Sequence, residues 1–193
     1  MKRLLDIALV LIAAPLWLPL SAAVAIAVAV SMGRPVIFAQ DRAGLGGRVF
    51  RFLKFRTMTD GDAPDAERIT RLGRFLRATS LDELPQLLHV LSGRMSLVGP
   101  RPLPARYLPR YSPDEMRRHE TRPGITGWAQ VNGRNAISWE EKFRLDVWYV
   151  DHRSLALDLK ILLLTALKVF RREGINCSAA ETMGEFRPTA RPL

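Results

Sequence analysis

Residues 7–32 carry no charge at all, a run of 26 positions in a chain of 193. As a continuous helix it would be about 39 Å long at roughly 1.5 Å per residue, enough to cross a bilayer. Two features favour a bend over a straight span. Pro15 and Pro19 fall inside the run, where each removes a backbone donor and favours a break. Lys2 and Arg3 precede the run, while Arg34, Arg42, Arg48 and Arg51 follow it. Positive flanks mark the cytoplasmic side, so both ends ask for the same side. A re-entrant helix-hairpin that breaks at Pro15 and Pro19 satisfies both. A straight anchor is the competing reading. A cleaved leader is disfavoured, because its apolar segment is ordinarily about 7–15 residues long. The bend would expose backbone groups that need partners in hydrocarbon, and Ser21 or Trp17 stands close enough in sequence to help.

The remainder is strongly basic, with a net charge of +10 and a pI near 10.7. Five of the 29 basic residues are lysine and 24 are arginine. The arginine fork matches phosphate oxygens, so the balance points to an anionic partner: a phosphorylated substrate, an acidic bilayer or a nucleic acid. No nucleic-acid reading motif is present, and such a partner would leave the apolar run without a purpose. The single cysteine, Cys177, excludes an internal disulfide and agrees with a reducing compartment.

Along the chain, 35–40 and 49–56 read as the strands of a short hairpin around a glycine-rich turn. Lys54 and Arg56 close the second strand as phosphate candidates. Residues 67–77 read as an amphipathic helix with Arg68, Arg71, Arg74 and Arg77 on one face, suited to anionic headgroups. Residues 84–91 read as a core helix, and His89 within it as structural. Ser112 and Pro113 mark a helix start. Residues 123–134 form a glycine-rich loop, with Gly127 and Gln130 as substrate contacts. Helices at 138–151 and 156–170 follow. The fold class is α+β: a membrane hairpin over 1–33, a small cytosolic domain over 34–172 with membrane-surface helices, and a loose tail over 173–193.

The densest chemistry lies at Arg77-Ala-Thr-Ser80-Leu-Asp82-Glu83-Leu-Pro85. Adjacent carboxylates near a helix start have two readings. Ser80 and Glu83 fit the S-x-x-E capping box, in which the acids only stabilise a first turn. Alternatively the pair is a reactive dyad.

Several blocks in fixed order bear on that choice: Lys2-Arg3-x-x-Asp6, Lys54-Phe-Arg56-Thr-Met58, the Arg77 to Gln86 block, Ser96-Leu-Val-Gly-Pro-Arg101-Pro102 and Arg122-Pro-Gly-Ile-Thr-Gly127-Trp128. Together they closely resemble the bacterial sugar transferases, the small monotopic phosphoglycosyl transferases similar to the enzyme that begins bacterial N-linked glycan assembly. The resemblance implies transfer of a phospho-sugar from a UDP-sugar to polyprenol phosphate, giving polyprenyl diphosphate sugar and UMP. It implies Asp82 as nucleophile forming a covalent phospho-sugar, Glu83 assisting, Mg2+ at Asp82 and Glu83, and phosphate contacts from Arg77 and Arg101. It also implies the cytoplasmic face of a bacterial inner membrane, with both hairpin ends in the cytoplasm, and is compatible with a homodimer. One departure is that Leu18-Pro19 stands where members often carry Ser-Pro.

Overall fold

The computed structural model describes residues 1–133, 137–171 and the pair Glu185 and Phe186. The apolar run forms two helices, α1 (Lys2–Ile12) and α2 (Ala14–Met32), broken at Ala13. Pro15 occupies the first turn of α2, where its missing N–H costs nothing, whereas Pro19 lies inside an unbroken helix. The break therefore falls just before Pro15 and not at Pro19. The Trp17 indole N–H donates to the Val10 carbonyl at 3.0 Å and meets the need for a partner at the break. Among the described residues the Ser21 hydroxyl finds no partner.

Both ends of the run are pinned to the rest of the chain. Lys2 pairs with Asp158 at 2.5 Å, Arg3 donates to the Val90 and Leu91 carbonyls, and Asp6 accepts from Ser96 Oγ at 2.8 Å. At the other end, Arg56 donates to the carbonyls of Met32 and Gly33. Val10 and Trp17 pack with Phe52, Val90 and Met95, while Val24 and Val28 pack with Phe55 and Leu76. The rest of α2 is open. Leu16, Leu18, Leu20, Ile26 and Val30 are exposed, and only 17% of its most apolar stretch is buried.

The expected hairpin is present: β1 (Ile37–Ala43) and β2 (Val49–Phe55) pair antiparallel, with Phe38 opposite Lys54. Alternation along β2 puts Phe52 and Lys54 on one face. The helix expected at 67–77 is divided into α3 (Asp65–Arg68) and α4 (Arg71–Ala78). The Thr70 hydroxyl accepts from the Gly73 N–H at 2.8 Å and restarts the helix as its N-cap. Gly73 packs directly on the Thr57 backbone, where any side chain would overlap it.

After the dyad come α5 (Gln86–Leu91) and an unexpected parallel pair, β3 (Ser96–Val98) with β4 (Gly124–Thr126). Between them α6 (Pro113–Met116) starts on a complete capping box from Ser112 and Glu115. Beyond lie α7 (Trp128–Val131), α8 (Trp139–His152) and α9 (Leu155–Arg171). Residues 123–133 are thus strand and helix, not a continuous loop; 134–136 lie outside the described residues. So does the expected tail, apart from Glu185 and Phe186, of which Phe186 is buried. His89 is buried between the Phe50 and Phe52 rings, in keeping with a structural role.

Candidate active site

Asp82 and Glu83 lie on a single 3-10 turn, Leu81–Glu83, between α4 and α5. Ser80 precedes it in the left-handed region, φ 57° and ψ 17°. That conformation costs a non-glycine residue roughly 1–3 kcal/mol and concentrates at functional sites. The capping box is not made here. The Ser80 side chain makes no cap hydrogen bond, and the Glu83 carboxylate turns to Lys54 Nζ at 2.6 Å and Arg101 at 2.5 Å. A true capping box forms at Ser112 and Glu115, so the same short pattern takes both fates within one chain.

The two carboxylates are held unequally. Asp82, 5% exposed, has one long contact with Lys54 at 3.4 Å. Burial pushes its carboxyl above the usual range and the Glu83 charge adds to this, against the pull of Lys54. Burial would raise Glu83 as well, but the charges of Arg101 and Lys54 outweigh it and hold Glu83 well below the usual range. Glu83 is therefore a fixed anion and Asp82 the more basic, less satisfied partner.

Both line a cavity of about 660 Å3. Among the described residues, eight cationic side chains face it against five carboxylates. Burial, then Arg101, lowers Arg42 to about 10, and burial lowers Lys142 to about 8, with Arg101 and Arg118 adding to the effect. A cavity crowded with cations is suited to a polyanion such as a diphosphate.

The expected substrate contacts separate into two groups. Lys54, Arg77, Arg101 and Gln130 all line the cavity. Arg77 Nε donates to Thr57 Oγ1 at 3.0 Å. Gln130 Nε2 donates to the Ile125 carbonyl at 2.8 Å, leaving its Oε1 buried without a partner. Arg56 reaches the wall too, but its guanidinium is committed to the end of α2 and to Asp60 at 3.1 Å. It serves as an anchor of the apolar helix. Gly127 is not part of the wall; a side chain there would strike Gly99 and Gln130, so its role is close backbone packing.

Sequence reasoning missed Arg42, which it read only as flanking charge. Arg42 lies 4.4 Å from the Phe52 ring centroid and donates to the Pro102 carbonyl at 2.6 Å. Alternation within β1 was its available signal, since Gln40 and Arg42 share a face and both line the cavity.

Among the described residues, no group of three His, Cys, Asp or Glu side chains gathers to hold a metal. Mg2+ ordinarily takes one or two carboxylates completed by substrate phosphates and water; of the dyad, Asp82 carries the less engaged carboxylate, while Glu83 is held by Lys54 and Arg101.

Comparison with known proteins agrees with this geometry. Residues 1–172 match the family described as bacterial sugar transferase. An uncharacterized sugar transferase of Bacillus subtilis (strain 168) is 58% identical over 165 residues, 82% of each chain. A UDP-glucose:undecaprenyl-phosphate glucose-1-phosphate transferase of Xanthomonas campestris pv. campestris is 45% identical over 80% of this chain, which spans only 35% of that relative. An enzyme of the same description from Caulobacter vibrioides is 44% identical, over 85% of this chain and 67% of its own length. The chain belongs to the bacterial sugar transferase family.

Proposed function

We propose that this protein transfers a sugar phosphate from a UDP-sugar to a polyprenyl phosphate, releasing UMP, through a covalent intermediate on Asp82. The observation that carries the reading is the unequal dyad: Glu83 is tied to two cations, while Asp82 points a poorly satisfied carboxylate into a cation-rich cavity. The relatives named for UDP-glucose and undecaprenyl phosphate support the substrate classes.

In the first step an Asp82 carboxylate oxygen attacks the β-phosphorus of the donor. The bond to the bridging oxygen breaks and its electron pair leaves with UMP. In the second, an oxygen of the polyprenyl phosphate attacks the same phosphorus, and Asp82 departs as a carboxylate. An acyl phosphate is reactive enough to pass its group on. Raised basicity makes Asp82 a better nucleophile than an ordinary carboxylate, provided it is ionised. Lys54 and Arg101 hold Glu83 in place and offset the negative charge that gathers on the phosphoryl oxygens. Arg77 and Arg42 extend the same field along the cavity. Bound Mg2+ would neutralise diphosphate charge beside the dyad.

The topology we propose is monotopic, on the cytoplasmic face of a bacterial inner membrane. It is supported by the pinning of Lys2 and of Met32 to one body, since a helix crossing once would deliver its ends to opposite sides. The exposed leucines and Ile26 would lie in lipid, bringing the cavity to headgroup depth where the acceptor phosphate resides. The decisive assay is UMP release from a panel of UDP-sugars with polyprenyl phosphate and Mg2+. Wild type releases UMP with at least one sugar. Asp82→Asn lowers the rate by ~1,000-fold or more, as loss of a nucleophile does. Absence of release with every sugar overturns the proposal.

A further inference from the structure

Fourteen residues beyond the last position matched by the family, Phe186 is seated in a cage of aromatic side chains. Its ring lies 5.7 Å from Tyr107, 5.6 Å from Tyr111, 5.6 Å from Trp139 and 5.0 Å from Phe143, centroid to centroid, and it is 2% exposed. The flanking backbone is also held. The Phe186 carbonyl accepts from Arg110 at 2.6 Å, and its N–H donates to the Tyr107 hydroxyl at 3.4 Å. Glu185 pairs with Arg110 at 3.0 Å and Arg106 at 3.4 Å. A ring in a cage, beside a carboxylate between two arginines, is a built docking site for an acidic-aromatic dipeptide.

The cage backs directly onto the reactive wall. Leu103 belongs to the same cluster and lines the cavity. The Phe143 ring lies 5.5 Å from the Arg118 guanidinium, Arg118 donates to the Arg101 carbonyl at 2.8 Å, and the Arg101 side chain reaches Glu83. Every link from Phe186 to the dyad is therefore a direct contact between neighbours. We infer that Glu185 and Phe186 form a C-terminal latch, and that Phe186 is a positioning residue which sets Arg101 against Glu83 from behind. The catalytic consequence rests on the transferase reading above; the seating of the latch does not.

Full-length Phe186→Ala tests this. At a temperature where near-ultraviolet circular dichroism shows both proteins folded, kcat for UMP release falls roughly ten-fold, the scale of a small misplacement at a reacting centre, while the acceptor KM changes by less than about two-fold. A peptide spanning residues 182–189, supplied in trans, restores kcat; the same peptide with Phe186→Ala does not. The intact peptide also changes the tryptophan emission of Phe186→Ala saturably, through Trp139, and leaves wild type unchanged because its cage is filled. Wild-type kcat in the folded variant overturns the inference, as does failure of the intact peptide to restore it. If wild type itself releases no UMP, the transferase reading falls, and the latch stands or falls on the emission change alone.

Discussion

Two ion-paired clusters meet at Arg101 and are built to opposite specifications. On one side of it, Arg118 and Asp146 form a closed pair whose Asp146 also lines the cavity, 1% and 2% exposed at their side chains and joined at 2.6 Å and 3.1 Å from two guanidinium nitrogens to one carboxylate oxygen. Arg118 Nη2, besides meeting Asp146, also donates to the Arg101 carbonyl at 2.8 Å. On the other side, two carboxylates share Lys54 and Arg101, and the sharing is uneven: Glu83 has both cations near 2.5 Å, Asp82 one at 3.4 Å. A buried pair whose charges are matched contributes a fixed shape. One whose charges are mismatched keeps a group ready to react. Arg101 joins the two, its backbone held by the structural pair and its side chain serving the reactive one.

The largest effect that sharpens this contrast is on the structural side. Arg118→Ala leaves Asp146 buried without its counter-ion, which costs about 3–5 kcal/mol in a urea melt. Burial raises the Asp146 carboxyl even with Arg118 present, and without Arg118 it rises further. A raised group stabilises the fold below its unfolded pKa and loses that contribution as pH climbs through the folded value. The deficit of Arg118→Ala is thus larger at pH 8 than at pH 5. An equal deficit at both would show that Asp146 is not the group left stranded.

Next comes Lys54→Met on the reactive side. Lys54 is the foremost influence lowering Asp82 against burial, so its removal moves the acidic limb of the kcat/KM profile to higher pH. The rate at pH 6 falls by roughly ten-fold or more. An unmoved limb would separate the observed ionisation from Asp82.

The smallest effect has the most informative sign. Because the folded pKa of Asp82 lies above its unfolded value, its contribution is complete in acid and is lost as pH rises, leaving the ionised form a burden at neutral pH. Asp82→Asn lowers activity by ~1,000-fold or more and yet raises the melting temperature at pH 7.5, by roughly 2–4 °C for each kcal/mol relieved. Glu83 has the reverse sign: its depressed pKa contributes stability above the unfolded value, lost as pH falls. Glu83→Gln accordingly lowers the melting temperature.

That the dyad, Lys54, Arg77, Arg101 and Gln130 would come together was legible in the sequence, and the structure puts all of them on the wall of one cavity. The hairpin was equally plain, since alternation and a glycine turn are local signals. What stayed hidden was set by contacts across the chain. Arg56, expected as a phosphate contact, lines the cavity and also holds the Met32 and Gly33 carbonyls, backbone partners more than twenty residues away that no local pattern reveals. Lys2 and Arg3 were counted as topology signals, yet both hold specific partners in the domain. The break was expected at Pro15 and Pro19 together; the interruption falls at Ala13, next to Pro15, which sits in a first turn, and Trp17 reaches the freed carbonyl, while Pro19 lies within the helix. Phe186 offered no periodicity at all; its cage is assembled from 103, 107, 111, 139 and 143.

The central claim is that Asp82 itself takes the phospho-sugar, and intact-protein mass spectrometry tests it most directly. Wild type is mixed with Mg2+ and the UDP-sugar that supports release, without polyprenyl phosphate, and quenched in acid. The account predicts a mass increase of one sugar phosphate, mapped by fragmentation to Asp82, matched by a stoichiometric burst of UMP and absent from Asp82→Asn. No adduct, with UMP appearing only when polyprenyl phosphate is added, would mean direct transfer between the two substrates and would contradict it.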